Sequence, residues 1–159
     1  MTDLVRFFHA DRFARGCGIR LEEVRPGYAR ARLRVGDRHM NAVDVAQGGA
    51  IFTLADLAFA ACSNSHGTVA VAVNANIQFV RAGRKGALVA EAREVAQSPK
   101  LSSVEVRVTD GSGALVALFT GLAYRKKETL ADLGAARGAS FAARPRAGRG
   151  ASRARAPRG

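Results

Sequence analysis

The sequence predicts an α+β fold in which one antiparallel sheet wraps around a single long central helix. A run of 13 residues, Ala50 to Cys62, is apolar on nearly every side, and a helix of that kind must be surrounded by protein. Segments that alternate apolar and polar residues, as half-buried strands do, lie before and after this run. A curved sheet built from both sets of strands supplies the surroundings that the helix requires.

The first 35 residues predict one helix and two strands. Residues 3–15 have the spacing of an amphipathic helix, and the glycines at positions 16 and 18 end it. Residues 19–24 and 29–35 are typical of strands, and the second alternates apolar residues with three arginines that we assign to a solvated face. One side of the helix carries four apolar residues, Leu4, Phe7, Phe8 and Phe13.

Four more strands are predicted after the central helix. Residues 69–79 alternate, so that their valines share one face and their asparagines share the other. Residues 87–96 form the next predicted strand, and the valines at positions 104, 106 and 108 define another. The turn Asp110-Gly111-Ser112-Gly113 then reverses the chain into a last strand over residues 114–124.

The composition predicts one domain and a separate tail. A chain of 159 residues with 48% apolar content suits a single core. Beyond Arg125 the chain consists mainly of Ala, Gly, Arg, Pro and Ser without a hydrophobic period, and such a segment buries too little surface to offset its ordering entropy. We therefore expect a domain over residues 1–126 and a disordered Arg/Ala/Gly-rich tail over residues 127–159.

The net charge of +12 belongs mostly to this tail. After Tyr124 there are ten Lys or Arg residues against two acidic ones, whereas the preceding part has 15 against 11. A mildly basic domain needs no nucleic acid to explain it, and it suits a polyanionic small ligand such as coenzyme A. The tail has a single aromatic residue, Phe141, to stack on bases, which argues against nucleic acid as a partner.

The sequence has no apolar run near the roughly 20 residues that span a bilayer. Its first residues carry an early acid and no apolar signal region, so we expect a cytoplasmic enzyme. The two cysteines, Cys17 and Cys62, have neither metal-ligand nor disulfide-framework spacing. We expect reduced thiols and no membrane span.

Two features of the central run carry chemistry. An acid inside an apolar helix, Asp56, is costly unless it is paired, and its pKa is usually disturbed; the alternative is a structural Asp satisfied by a neighbouring hydroxyl or amide. Gly48 and Gly49 precede the helix. Their bare N–H groups, together with the helix dipole, are suited to binding the oxygen of a thioester carbonyl as it becomes a negatively charged oxyanion. The alternative there is a tight turn in which backbone packs on backbone.

The spacing of these features predicts a dimer. Gly48 and Asp56 are eight residues apart, so on one helix they are separated by about 12 Å along the axis. One carbonyl group cannot contact both. If both serve one reaction, each active site must take the Gly48 amide from one chain and the Asp56 carboxylate from another, as two antiparallel helices side by side would allow.

The segment from Asn41 to Ser65 resembles the signature of the phenylacetate-degradation (PaaI-type) hot-dog acyl-CoA thioesterases. That signature is Asn, five residues, His-Gly-Gly, then Phe-x-Leu-Ala-Asp-x-Ala-Phe-Ala and a closing Asn-Ser. The spacings from Asn41 to Gln47 and from Gln47 to Asp56 agree with it. Residues 76–82 also resemble the family's strand that ends in Phe-Leu-Arg-Pro, and the likeness extends over roughly residues 3–125.

The resemblance implies a hot-dog fold, hydrolysis of acyl-CoA and a homotetramer built as a dimer of dimers, with no metal or other cofactor. It implies that Asp56 is the general base or the nucleophile and that Gly48 supplies the oxyanion amide. It implies that Asn41 and the residue at position 47 polarise or position the thioester. Where the family has His, this chain has Gln47, whose amide donates a hydrogen bond but does not titrate near neutral pH.

Three basic residues at a strand end, Arg81, Arg84 and Lys85, are candidates for binding the CoA phosphates, against the alternative of a solvated turn. Two other functions stay open. Gln47 is compatible with a non-catalytic acyl-CoA-binding or regulatory module, and the fold also occurs in dehydratases of hydroxyacyl thioesters, although the His on which those enzymes rely is absent here. Phenylacetyl- or hydroxyphenylacetyl-like, other aryl and short- to medium-chain acyl groups all fit the sequence.

Overall fold

The computed structural model describes residues 3–133 of the chain. Its helices are α1 (Asp3–Phe8), α2 (Arg12–Gly16) and α3 (Gly48–Ser63), with a single 3-10 turn at Asp37–His39. Its strands are β1 (Arg20–Arg25), β2 (Tyr28–Val35), β3 (Thr68–Phe79), β4 (Gly86–Gln97), β5 (Leu101–Asp110) and β6 (Leu115–Thr129).

The six strands form one sheet in the order β1-β2-β4-β5-β6-β3, and every neighbouring pair is antiparallel. The chain leaves β2, forms α3, and then enters β3 at the far edge of the sheet. Because this route crosses the inner face, α3 packs mainly against β2, β4 and β5. The predicted sheet around one central helix is confirmed.

The core consists of the inward side chains of the sheet and the covered sides of α3. The alternating apolar residues of β2 and β5 are buried as predicted, and the helix contributes a fully buried Leu54 and Phe59. The Phe59 ring lies 5.5 Å from the Phe119 ring. Gly121 makes room for it, since a Cβ atom there would come within 2.6 Å of the Phe59 ring. A larger residue at position 121 would therefore overpack the core.

The prediction of one N-terminal helix over residues 3–15 is wrong, because the helix is interrupted. α1 ends at Phe8, and Asp11 starts α2 as its N-cap by accepting the Ala14 N–H at 2.9 Å. A capping Asp favours a new helix start over the continuation of an old one. Phe13, expected on the apolar side of a single helix, is 71% exposed on α2.

β3 is an edge strand, and its predicted alternation does not produce a buried face. Val69 is buried, but Val71 and Val73 are 45% and 58% exposed. The reason is the position of β3 outside β6, beyond the strands that α3 mainly covers. A long apolar edge of this kind is a template for pairing with another chain.

The last strand runs further than the sequence suggests. β6 continues to Thr129, and after it Leu130 is buried and its N–H donates to the Gly67 carbonyl at 3.0 Å. The predicted domain boundary at residue 126 therefore falls inside β6: beyond it, Thr129 pairs with Thr68 of β3 and Leu130 is buried. The rest of the predicted tail, residues 134–159, lies outside the described residues.

Candidate active site

The first turn of α3 leaves one backbone amide free. Gln47 is the N-cap: its Oε1 accepts the Gly49 N–H, and its carbonyl oxygen accepts the Ala50 N–H at 2.9 Å. Within residues 3–133, the Gly48 N–H has no hydrogen-bond partner. The unpaired donor at the positive end of the helix dipole is thus the one that the sequence singled out.

An apolar wall and a cation flank this amide. A cleft of about 350 Å³ is lined by Gly48, Phe79 and Arg81, among others. The Phe79 ring lies directly over Gly48, because a Cβ atom added there would be 3.2 Å from Cζ of the ring. Sequence reasoning placed Phe79 only in a strand motif, and no signal in the sequence links it to a glycine 31 positions earlier.

The three predicted cations line a second cleft of about 600 Å³, which shares Arg81 with the first. Lys85 forms an ion pair with Asp37, and this carboxylate raises the pKa of Lys85. Among the described residues, neither Arg81 nor Arg84 forms an ion pair. Asp110 also lines this cleft, and hydrogen bonds within its own turn together with the charge of Arg81 lower its pKa. The three cations outnumber this carboxylate, so the cleft offers positive charge to an anionic ligand, and Arg81 connects it to the cleft at Gly48.

Asp56 lies two turns further along α3 and is half-buried. Within residues 3–133 its carboxylate makes no hydrogen bond or ion pair, and the nearby hydroxyl of Thr53 donates to the Gly49 carbonyl at 2.7 Å instead. Burial raises the pKa of Asp56, and the charge of Asp11 raises it further. In the described part of the chain, no neighbouring hydroxyl or amide satisfies the Asp56 carboxylate.

One protomer does not bring the acid and the free amide together. Gly48 and Asp56 belong to the same uninterrupted helix, so they remain about 12 Å apart along its axis. Asp56 shares an incompletely buried side of α3 with Gly49, Phe52 and Thr53, at the i, i+3, i+4 and i+7 spacing of one helix face. This face of α3 carries the carboxylate away from the core.

Asn41 shapes the loop that leads to Gln47. Its Oδ1 accepts the N–H groups of Val43 and Val45 at 3.0 and 3.2 Å, and this turn accommodates Asp44 at a φ of 63°. The carboxamide oxygen is thereby engaged, which leaves the Nδ2 hydrogens as the available donors. Asn41 thus positions the start of α3, and it lines neither of the two clefts described above.

His39 lies in the same loop but serves the fold. It is buried, and its Nδ1 accepts the Gly36 N–H at 3.0 Å. Nε2 lies 2.8 Å from the Cys17 carbonyl oxygen and 3.2 Å from Arg38 Nε. With both ring nitrogens engaged, His39 does not replace the imidazole that is missing at position 47.

Among residues 3–133, no helix combines the length and the hydropathy that crossing a bilayer requires. In the same part of the chain, no group of three or more His, Cys, Asp or Glu side chains is arranged to hold a metal ion.

Comparison with known proteins finds relatives over most of the chain. Residues 45–117 match the family model described as the thioesterase superfamily. A protein of Archaeoglobus fulgidus whose name describes an esterase is 43% identical over 110 residues, which are 69% of this chain and 71% of that protein. The acyl-coenzyme A thioesterase PaaI of Escherichia coli is 31% identical over 119 residues, which are 74% of this chain and 85% of that enzyme.

Solved structures give the same result. The E. coli PaaI protein from the phenylacetic acid degradation operon superposes with a TM-score of 0.75 at 31% identity, covering 78% of this chain and 91% of that one. A Streptococcus mutans protein solved with bound acetyl CoA superposes with a TM-score of 0.67 at 27% identity, covering 70% of this chain and 90% of that one.

Proposed function

The chain belongs to the thioesterase superfamily and is a hot-dog thioester hydrolase of the PaaI type, and we propose that it hydrolyses acyl-CoA to free acid and CoA. The acyl groups that we propose are aryl or short- to medium-chain groups, of the phenylacetyl- or hydroxyphenylacetyl-CoA kind. The observation that carries the proposal is the free Gly48 amide next to a cleft lined by Arg81, Arg84 and Lys85. An electrophilic thioester attached to a polyanionic carrier fits that combination of donor and charge.

The proposed mechanism assigns each group a role. The thioester carbonyl oxygen accepts the Gly48 N–H, and the helix dipole stabilises the oxyanion as it forms. Asp56 of the second chain takes a proton from water while the water oxygen adds to the carbonyl carbon, or the carboxylate attacks that carbon itself. The C–S bond then breaks, and the leaving CoA thiolate takes the proton that Asp56 holds in the first route, or a proton from solvent in the second. In the second route the acyl group remains on Asp56 as an anhydride, which water hydrolyses to the free acid and the regenerated carboxylate. The raised pKa of Asp56 makes the carboxylate a better base.

Gln47 contributes hydrogen bonding without proton transfer. Its Oε1 is occupied by the Gly49 N–H, so its Nε2–H groups are the donors that can polarise the carbonyl. Asn41 holds the loop that presents Gln47. The residue that usually titrates at this position is absent, so the proton balance of the reaction rests on Asp56 and solvent.

The functional unit in this proposal is a homodimer, and the family resemblance extends it to a homotetramer of two such dimers. The separation of about 12 Å between Gly48 and Asp56 on one helix requires a second chain. The exposed apolar edge of β3 supports self-association, because a second β3 edge would satisfy its unpaired backbone groups and cover Val71 and Val73.

The experiment that tests this function compares Asp56→Asn with the parent on a panel of acyl-CoAs, with released CoA detected by a thiol reagent. Loss of the base is expected to lower kcat by about 10²- to 10⁴-fold. Glu105→Gln is the matched control, since it neutralises a half-buried carboxylate on the outer face of β5. Near-parental turnover by Asp56→Asn would contradict the assignment.

The same panel separates the other functions. Stabilisation of the parent protein by acyl-CoA without release of CoA would indicate a binding module, the reading that Gln47 favours. An enoyl product from a hydroxyacyl-CoA would indicate dehydration. Release of CoA from the parent and not from Asp56→Asn is the outcome expected here.

A further inference from the structure

The peptide unit between Gln47 and Gly48 sets the direction of the Gly48 N–H. Because a peptide unit is planar and trans, this N–H points away from the Gln47 carbonyl oxygen, which accepts the Ala50 N–H at 2.9 Å. On its other side, the Gln47 N–H donates to the His39 carbonyl at 2.8 Å. Gln47 is thus held between the first turn of α3 and His39, and the direction of the free N–H depends on both supports.

The backbone of His39 is in turn held by its own side chain. The ring is buried, and Nδ1 accepts the Gly36 N–H at 3.0 Å. Nε2 lies 2.8 Å from the Cys17 carbonyl oxygen. Gly36 belongs to the same loop as His39, whereas Cys17 is the C-cap of α2. The ring therefore connects the loop before α3 to a separate element of the fold.

The end of α2 is itself held in place. The Cys17 N–H donates to the Phe13 carbonyl at 3.0 Å, within the last turn of α2. Gly18 follows at a φ of 80°, and the Arg38 guanidinium lies so close to it that an added Cβ atom would collide with the guanidinium. Two successive side chains of the loop, those of Arg38 and His39, thus contact one corner of the chain, which restrains the loop at two points.

We propose that His39 is a positioning residue for hydrolysis, because its ring ties Gln47 to the corner at Cys17 and so fixes the direction of the Gly48 N–H. The inference rests on the proposed function, in which this N–H binds the oxyanion. In this role His39 acts through Gln47 and not on the substrate, so its loss should lower kcat and leave KM unchanged. A displacement of about 1 Å costs up to roughly 10²-fold in rate, and we expect about tenfold for the loss of one anchor.

Two variants separate the two contacts of the ring. In His39→Asn the side chain reaches only as far as Nδ1 and can keep the contact with Gly36. In His39→Gln it reaches as far as Nε2 and offers an N–H to the Cys17 carbonyl. Each variant loses one contact, so similar melting temperatures are expected. With phenylacetyl-CoA as substrate, His39→Asn is expected to lower kcat about tenfold at an unchanged KM, and His39→Gln to keep most of the parental kcat.

A second measurement does not depend on turnover. Hydrogen exchange of the Gln47 amide, followed by NMR, reports the bond to the His39 carbonyl. This amide is expected to exchange about tenfold faster in His39→Asn and at nearly the parental rate in His39→Gln. His66→Asn is the matched control, because it removes an imidazole that contacts Glu94 at 2.7 Å in the loop after α3. It is expected to change neither kcat nor the exchange of Gln47.

Equal exchange of Gln47 in the two His39 variants, whether parental or faster, would overturn the connection through the ring. A difference in exchange without a difference in kcat would overturn its role in hydrolysis. Absence of CoA release by the parent would refute the proposed function, while the exchange rates would still decide whether the ring holds Gln47 in place.

Discussion

Replacing Gly48 with proline removes the one amide hydrogen that the proposed mechanism needs. Gly48 is the first residue of α3, and its N–H is unpaired within residues 3–133, so no hydrogen bond of the fold is lost. Proline is favoured at the first helical position. Gln47, which would precede it, already has a φ of −62° and a ψ of 132°, the extended conformation that a residue before proline adopts.

The expected effect on catalysis is large and the effect on folding is small. Loss of one oxyanion donor lowers kcat by about 10²- to 10³-fold. Part of any loss comes from the added carbon atoms, because a Cβ at position 48 lies 3.2 Å from the Phe79 ring and displaces it by a few tenths of an ångström. Gly48→Ala carries the same Cβ and keeps the N–H, so the ratio of kcat between the two variants reports the amide hydrogen.

The assay is the release of CoA from phenylacetyl-CoA and octanoyl-CoA under saturating conditions, together with the melting temperature of each variant. Gly48→Ala is expected to keep most of the parental kcat, and Gly48→Pro to fall far below it at a similar melting temperature. Equal kcat values for Gly48→Pro and Gly48→Ala would refute the role of this amide and the reasoning built on the unpaired donor.

Three further predictions follow from the same geometry. Subunit exchange between equal amounts of the inactive Asp56→Asn and Gly48→Pro proteins should restore about a quarter of parental activity. Half of the dimers are then mixed, and each mixed dimer has one intact site out of two. No recovery after demonstrated exchange would argue against shared sites. Asp11→Asn keeps the α2 cap and removes a charge that raises the pKa of Asp56. The acidic limb of the pH profile of kcat/KM should therefore move to lower pH, and an unmoved limb would contradict this coupling. Arg84→Gln should raise the KM for an acyl-CoA and leave that for the corresponding acyl-pantetheine unchanged, and an equal change in both would exclude a phosphate contact.

The hydrophobic pattern of the sequence correctly predicted burial in β2, β5 and α3. The alternation in β2 and β5 gave their buried faces because both strands lie in the middle of the sheet, where one face always meets α3. The apolar run from Ala50 to Cys62 lies within one residue of the end of α3 and within two of its start. In β3 the same alternation failed, because the burial of Val71 depends on strand order, which hydrophobic period does not encode.

The residues of the candidate site also differ in whether the sequence alone reveals them. Asp56 and Gly48 stand out in sequence, since an acid in an apolar run and glycines before it are local anomalies. Phe79 does not, because it meets α3 only through the tertiary fold, across a sequence separation of about 31 residues. The residues that we propose to carry out the chemistry were therefore accessible to sequence reasoning, whereas residues that form the walls around them were not.

In the proposed mechanism, one property of the α-helix links chemistry to assembly. The amide that stabilises an oxyanion must lie in the first turn, because every later N–H is paired within the helix. The carboxylate must lie further in, where burial raises its pKa. At about 1.5 Å per residue, Gly48 and Asp56 cannot both meet these requirements and reach one carbonyl carbon within a single chain. A second copy, with its helix reversed, removes the conflict without changing either position.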